Sequence, residues 1–247
     1  MQLEVTRAKA FAGFTWVKQA WKIFTLKPAV FMAMSAIIIV ISILPAFIPY
    51  ANFVVLFLMP FISLGFYQVT SNVEHNEPTD VPDIFQYLGQ IPKYAVLLRI
   101  AAVTLILSIP ITMVASDMQL LFAEQKLPSF SDVLLLAILF FVNAMITAFA
   151  APTAWVAPET PLSTILKNSF KACWINAMPL TVFGLIVLLI VMVSMPLIIF
   201  GWLIAYAITT VAFLQAFLDI YQPVKPATDD AFVESAVSSN RDSDIEQ

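Results

Sequence analysis

Charged residues are scarce in this chain of 247 residues, and two long stretches contain none. They make up 11% of the sequence, less than half of the roughly 25% that is usual in soluble domains. No Asp, Glu, Lys or Arg occurs between Lys27 and Glu74, or between Lys171 and Asp219. Each stretch is more than twice the ~20 residues of a membrane-spanning helix, and prolines interrupt both near the middle. The two stretches predict two membrane-spanning helical hairpins and exclude a soluble globular protein.

Cysteine and histidine are almost absent as well. A single Cys173 and a single His75 exclude an intramolecular disulfide and a Cys/His zinc cluster. Five glycines form no phosphate-binding loop, and the serines show no nucleophile elbow. The sequence therefore predicts no catalytic residue, cofactor or metal site. The net charge of −4 gives no support for binding nucleic acid.

The hydropathy pattern predicts an all-α integral membrane fold. Six transmembrane helices form three hairpins, and a short amphipathic interfacial helix precedes each hairpin. The predicted spans are 28–47, 51–71, 94–115, 133–155, 177–197 and 200–220, and the lead-in helices are 13–27, 81–91 and 161–174. A polar N-terminal segment, 1–12, is expected to be loose. The membrane domain covers 13–221, and 222–247 is expected to be an acidic, disordered cytoplasmic tail.

The first lead-in has two distinct halves on a helical wheel. The apolar half holds Trp16, Val17, Ala20, Trp21, Ile23 and Phe24, and the polar half holds Thr15, Lys18, Gln19 and Lys22. This separation predicts an interfacial helix with its lysines toward lipid phosphates. The alternative is a plain extension of the first span, with snorkelling lysines.

The basic residues lie almost entirely on one side of the predicted membrane. If the N-terminus is inside, eleven of the 12 Lys and Arg residues fall in inner segments, and only Lys126 falls in an outer loop. An excess of Lys and Arg marks the cytoplasmic side of a membrane protein. We therefore expect both termini to be cytoplasmic.

An internal repeat links the two lead-ins. At a shift of 149 residues, Thr15, Lys18, Trp21 and Lys22 meet Thr164, Lys167, Phe170 and Lys171. The segment from Asp83 through the third and fourth spans is a looser third copy. Because all copies begin on the same side of the membrane, the repeat is parallel.

Three segments carry a resemblance to a known family. They are TWVKQAWKIFTLKP at 15–28, the Tyr87-Leu88-Gly89 region, and ETPLSTILKNSFKACWINAMPL at 159–180. Over residues 13–221 the chain resembles a family of uncharacterised bacterial multi-pass inner-membrane proteins, similar to the membrane domain fused to some glycerophosphodiester phosphodiesterases. The resemblance implies a membrane fold in the bacterial inner (plasma) membrane and no assigned reaction.

Two sets of residues are candidates for function. Lys18, Lys22, Lys167 and Lys171 are candidates for contact with the headgroups of anionic lipids, although they also serve as topology signals. Asn143, Thr147, Thr209 and Gln215 are candidates for a polar lining. The alternative for this second set is structural hydrogen bonding between helices.

Two functions remain open at this point. The absence of catalytic groups and the short loops favour a non-enzymatic scaffold or accessory for membrane partners or lipid organisation. Its partners would be the lipid bilayer and a protein bound through the acidic tail. The repeat and the proline-broken spans favour the alternative, a transporter or permease component for a small or lipid-like substrate.

Overall fold

The computed structural model describes residues 3–48 and 50–223. This part of the chain is almost entirely helical and contains six helices that are long and apolar enough to cross a membrane. These spans are Pro28–Ala46, Ala51–Glu74, Ala95–Ala123, Phe130–Val156, Ala177–Leu197 and Ile199–Ile220. The predicted all-α, multi-pass membrane fold is confirmed. The predicted acidic tail lies outside the described residues from position 224 onward.

Nine α-helices, two short strands and three 3₁₀ helices build the described chain. The helices are α1 (Ala12–Leu26), α2 (Pro28–Ile43), α3 (Ala51–Glu74), α4 (Ala95–Ala123), α5 (Phe130–Thr147), α6 (Ala150–Val156), α7 (Leu162–Ile175), α8 (Ala177–Ser194) and α9 (Ile198–Ile220). The strands are β1 (Leu3–Val5) and β2 (Tyr221–Pro223), and the 3₁₀ helices are Leu44–Ala46, Val81–Gln90 and Met195–Leu197. Prolines shape the first and last hairpins, because Pro45 and Pro196 lie in the two 3₁₀ turns.

The three lead-ins all lie at the end of the bundle that carries β1 and β2. We call this the basal end, and the opposite end, with the three hairpin turns, the turn end. The first lead-in is a separate helix, because the backbone leaves the helical region at Lys27 (φ −141°) between α1 and α2. It is therefore not a plain extension of the first span. The second lead-in, Val81–Gln90, is a 3₁₀ helix, where an interfacial α-helix was expected.

The N-terminal segment is ordered, and the expectation that residues 1–12 are loose is wrong for the described positions from residue 3. Strand β1 pairs antiparallel with β2, with Glu4 opposite Gln222. The backbone N–H of Thr6 also donates to the carbonyl of Ile220 at 2.8 Å. Because these bonds join the start of the described chain to its end, both lie at the basal end.

Each lead-in packs against the hairpin of a different unit. Helix α1 contacts α8 and α9, the 3₁₀ lead-in contacts α2 and α3, and α7 contacts α5 and α6. The lead-in of the first unit thus docks on the third hairpin, that of the second on the first, and that of the third on the second. The contacts form a closed cycle of three units, in keeping with the parallel repeat.

Close packing is concentrated near the basal end. Buried residues of α2 end at Ile38, those of α3 begin at Phe61, and those of α4 end at Ala101. In α5 the first buried residue is Met145, close to its basal end. The halves of these spans near the turn end therefore expose apolar side chains such as Val54 and Phe140, as helices in contact with lipid do.

Candidate functional site

The exposed faces of the lead-ins form a rim around the basal end. On α1, Lys18 and Lys22 are exposed, whereas Trp16 is only 1% exposed. The Trp16 indole N–H donates to the Asp219 carboxylate at 2.9 Å, and its ring packs edge to face on Phe183 at 6.1 Å between centroids. The predicted polar half of the helix is thus exposed, while much of the apolar half packs against protein.

Helix α7 repeats the buried positions of α1 between Trp16 and Phe24. The buried residues Trp16, Ala20, Ile23 and Phe24 of α1 match the buried Ile165, Ser169, Ala172 and Cys173 of α7 at the shift of 149. Lys167 and Lys171 are exposed in the same way as Lys18 and Lys22. The repeat seen in the sequence therefore extends to which face of each helix is buried.

Exposed aromatic rings stand among these lysines. Trp21 on α1 is 53% exposed, and Trp174 on α7 is 68% exposed. Phe170 stacks on Trp174 with centroids 6.3 Å apart. Lysine and tryptophan together are typical of the membrane–water interface, where the ring lies among headgroups and the ammonium group meets phosphate. We call the exposed faces of α1 and α7 the basic rim.

Asn176 ties the N-terminal segment to the start of α8. Its side chain is fully buried, and its Oδ1 accepts the backbone N–H of Ala8 at 2.7 Å. Its Nδ2 donates to the carbonyl of Thr6 at 3.0 Å. The amide therefore fixes the backbone on both sides of Arg7. Asn176 directly precedes the predicted fifth span, 177–197, but the sequence analysis did not identify this contact.

A second polar cluster joins the first two units at the basal end. The Tyr87 hydroxyl on the 3₁₀ lead-in donates to Gln68 Oε1 at 2.9 Å and accepts the Trp155 indole N–H at 3.0 Å. Burial raises the pKa of Tyr87, so the phenol stays protonated and keeps both bonds at neutral pH. Sequence reasoning missed this contact, because its three residues are distant in the chain.

The predicted polar lining falls in two separate places. The Thr147 hydroxyl donates to the Asn143 carbonyl within α5 at 2.9 Å, and Gln215 on α9 donates to Glu74 at 3.1 Å near the basal end. Thr209 is half-buried on α9. Asn143 Oδ1 is buried without a hydrogen-bond partner among the described residues. The expected partner for Asn143 from another span is thus not found in this part of the chain.

The thiol of Cys173 is unsuited to act as a nucleophile. Cys173 packs on the inner face of α7, and burial raises the pKa of its thiol to about 11. A thiol with this pKa is protonated at neutral pH and is a poor nucleophile.

Comparisons with known proteins do not test the resemblance that the sequence predicts. The resemblance of 15–28, 87–89 and 159–180 to a family of inner-membrane proteins therefore stays a prediction. No protein-family model, curated protein or solved structure matches this chain.

Proposed function

We propose that the protein is a non-enzymatic scaffold of the bacterial inner membrane that organises anionic lipid and membrane partners. The basal end faces the cytoplasm in this proposal, as the distribution of Lys and Arg predicts. The observation that carries the proposal is the basic rim. Four lysines, Lys18, Lys22, Lys167 and Lys171, are exposed on two helices whose opposite faces are buried against neighbouring hairpins.

The fixed position of the rim favours lipid contact over topology signalling alone. A lysine that only sets orientation needs no particular helix face. Here an exposed tryptophan lies within one turn of a lysine on each helix, Trp21 on α1 and Trp174 on α7, which suits insertion at headgroup depth. Each lysine near an anionic membrane surface contributes about 1 kcal/mol of attraction.

Packing at the basal end favours a scaffold over a conduit. Phe149 stacks on Phe213 with centroids 5.1 Å apart and also lies against Phe217 and Tyr221. These rings pack between the residue before α6 and the last two turns of α9. The apolar faces near the turn end remain available to lipid or to the helices of a partner.

Removing charge from the rim tests the proposal. The variant with all four rim lysines replaced by Gln is expected to retain less phosphatidylglycerol than the wild type when native mass spectra are recorded from a neutral detergent. Lys126→Gln, a change at the turn end, serves as the control. Equal retention in the two variants would remove the lipid-binding part of the proposal.

A permease for a small or lipid-like substrate is the second candidate, and Asn143 favours it. Its position is the midpoint of the span Phe130–Val156. Its buried oxygen has no partner among the residues that the structure describes, and offers an acceptor to a bound molecule. The variant Asn143→Leu tests this role. Loss of an uptake or lipid phenotype at unchanged thermal stability supports the permease, whereas a parallel loss of both supports a structural role.

A further inference from the structure

Two cavities open at the basal end, one at the start of α1 and one at the start of α7. The first, which we call the α1 cavity, has a volume of about 660 Å³, and the second, the α7 cavity, about 830 Å³. Residues 7–12 and Thr15 line the α1 cavity, and residues 156–161 and Thr164 line the α7 cavity. These positions match one to one at the shift of 149 that relates the two lead-ins. The cavity is therefore repeated together with the helix.

The matched cavities differ in charge. Arg7 and Lys9 line the α1 cavity, and the equivalent positions in the α7 cavity are Val156 and Pro158. Two cations in one cavity attract an anion, and the Arg side chain offers several N–H donors to phosphate oxygens. The first turn of α1 contains no acidic residue that would oppose them.

The distribution of acidic residues also makes the α1 cavity more favourable for an anion than the α7 cavity. Asp219 is the one acid among the described residues that line the α1 cavity, and its carboxylate already accepts the Trp16 indole N–H. In contrast, Glu4 and Glu159 both line the α7 cavity, and Lys171 is the one cation among its described lining residues. An anion is therefore favoured in the first cavity and disfavoured in the second.

The basic residues of the α1 cavity lie on a backbone that is held in place, next to an exposed phenyl ring. Asn176 holds the main chain at Thr6 and at Ala8 by hydrogen bonds, so the backbone of Arg7 is fixed on both sides. Phe11 also lines the cavity and is 65% exposed. An exposed phenyl ring next to two cations matches a ligand that has both a phosphate and an acyl chain.

We propose that the α1 cavity binds the phosphate group of an anionic phospholipid, held by Arg7 and Lys9 with its acyl chain beside Phe11. The proposal deepens the proposed scaffold function, on which it rests, by naming the site where one lipid is held specifically. The exposed lysines of the basic rim would attract further lipids less selectively.

The test uses the full-length protein in a neutral detergent, and matched variants separate the α1 cavity from the exposed lysines of the basic rim. Phosphatidylglycerol is titrated and its binding is followed by native mass spectrometry. The variant R7Q/K9Q is expected to bind the first lipid roughly tenfold or more weakly than the wild type. The matched control K93Q/R99Q removes one Lys and one Arg at exposed positions outside both the α1 cavity and the basic rim, and should keep the first lipid.

A charge-preserving variant separates the site from a general effect of folding or charge. The exchange R7K/K9R keeps both cations and is expected to retain phosphatidylglycerol, while phosphatidylcholine should bind weakly to all variants. Unchanged thermal unfolding of R7Q/K9Q shows that the variant is folded, since both side chains are exposed.

The outcomes separate this proposal from the rim proposal. If R7Q/K9Q binds the first lipid as tightly as the wild type does, the proposed lipid site in the α1 cavity is wrong. Loss of lipid in the four-lysine variant at low salt would still support lipid binding by the basic rim. Glycerol phosphate is added in a second titration. Displacement of the lipid by millimolar glycerol phosphate supports a phosphate site with a soluble ligand, and overturns the acyl-chain contact at Phe11.

Discussion

At the scale of single residues, Ser169 repairs a break in the fourth span. Pro152 lacks a backbone N–H, and its ring disfavours a regular helix around residue 148, where α5 ends and α6 has yet to begin. The Ser169 hydroxyl on α7 accepts the Phe149 N–H at 3.1 Å and donates to the Met145 carbonyl at 2.9 Å. One side chain thus bridges the two backbone groups that a regular helix would pair directly.

We predict that Ser169→Ala destabilises the protein by about 1–3 kcal/mol, because two buried backbone groups lose their partner. Unfolding in detergent can be followed with a thiol-reactive dye, since the buried Cys173 is the single cysteine. Ser163→Ala, at an exposed position of the same helix, is the control. Equal unfolding curves for the two variants would contradict the role of Ser169.

Gly65 is needed where the 3₁₀ lead-in crosses α3. A β-carbon at this position would overlap the backbone carbonyl oxygen of Ile84. We predict that Gly65→Ala costs about 1–3 kcal/mol of stability, because the backbone must shift to accept the methyl group. At Gly184, also within a helix, a β-carbon meets nothing within 4 Å. Gly184→Ala should therefore be neutral or stabilising in the same unfolding assay, and similar losses in both variants would count against the close approach.

The residue scale also shows the limit of sequence reasoning. The exposed lysines of α1 and α7 could be predicted, because a helical wheel assigns them to a face without knowledge of the neighbours. The contacts of Asn176 could not, because Thr6 and Ala8 are 170 and 168 residues away in the chain. Which partner a polar residue finds depends on how helices pack, and a single sequence contains no direct signal for that.

At the scale of secondary-structure elements, α1 is held by an inner tryptophan and exposes an outer one. Trp16 and Trp21 both lie on the apolar half of the wheel, but only Trp16 is buried. At Gly13, one turn away, a β-carbon would lie 2.7 Å from the backbone nitrogen of Phe183. The helix therefore approaches α8 closely, and Trp16 fills the space beside this contact.

We predict that Trp16→Ala lowers the free energy of unfolding by about 3–5 kcal/mol, as the loss of a large buried ring does. Trp21→Ala removes an exposed ring and should cost less than about 1 kcal/mol.

Spin labels at positions 19 and 168 should report interfacial depth on both lead-ins. A label as mobile as a free terminus, without lipid contact, would contradict an interfacial position.

The spans were predicted well because a charge-free apolar stretch is a direct signal of a membrane helix. The largest difference is in α4, which continues from the predicted end at 115 to Ala123. Half-buried residues follow one another at spacings of four, three, four and three, at Leu107, Ile111, Val114, Met118 and Leu121. This spacing is typical of packing between helices, and α5 is the main neighbour of α4, so the helix extends beyond the apolar stretch. Hydropathy alone does not register such packing.

At the scale of the whole molecule, three similar units close on one another through their lead-ins. The sequence revealed the repeat but not the exchange, in which each lead-in docks on the hairpin of another unit. Amphipathic periodicity shows that a helix buries one face, and gives no information about the surface that covers it. The resulting assembly has many of its polar contacts and its close packing near one end, where the basic rim and the α1 cavity also lie.

The closed cycle makes a prediction about topology. Because β1 pairs with β2, the start and the end of the described chain must lie on the same side of the membrane, and the turn between α4 and α5 on the other. With the basal end cytoplasmic, alkaline phosphatase fused after Gln125 should be active, and the same enzyme fused after Gln222 should be inactive. A fluorescent protein that matures only in the cytoplasm should give the opposite pattern at the two positions. Activity of the phosphatase at Gln222 alone would invert the orientation, while activity at both positions would mean that the number of spans between them is not three.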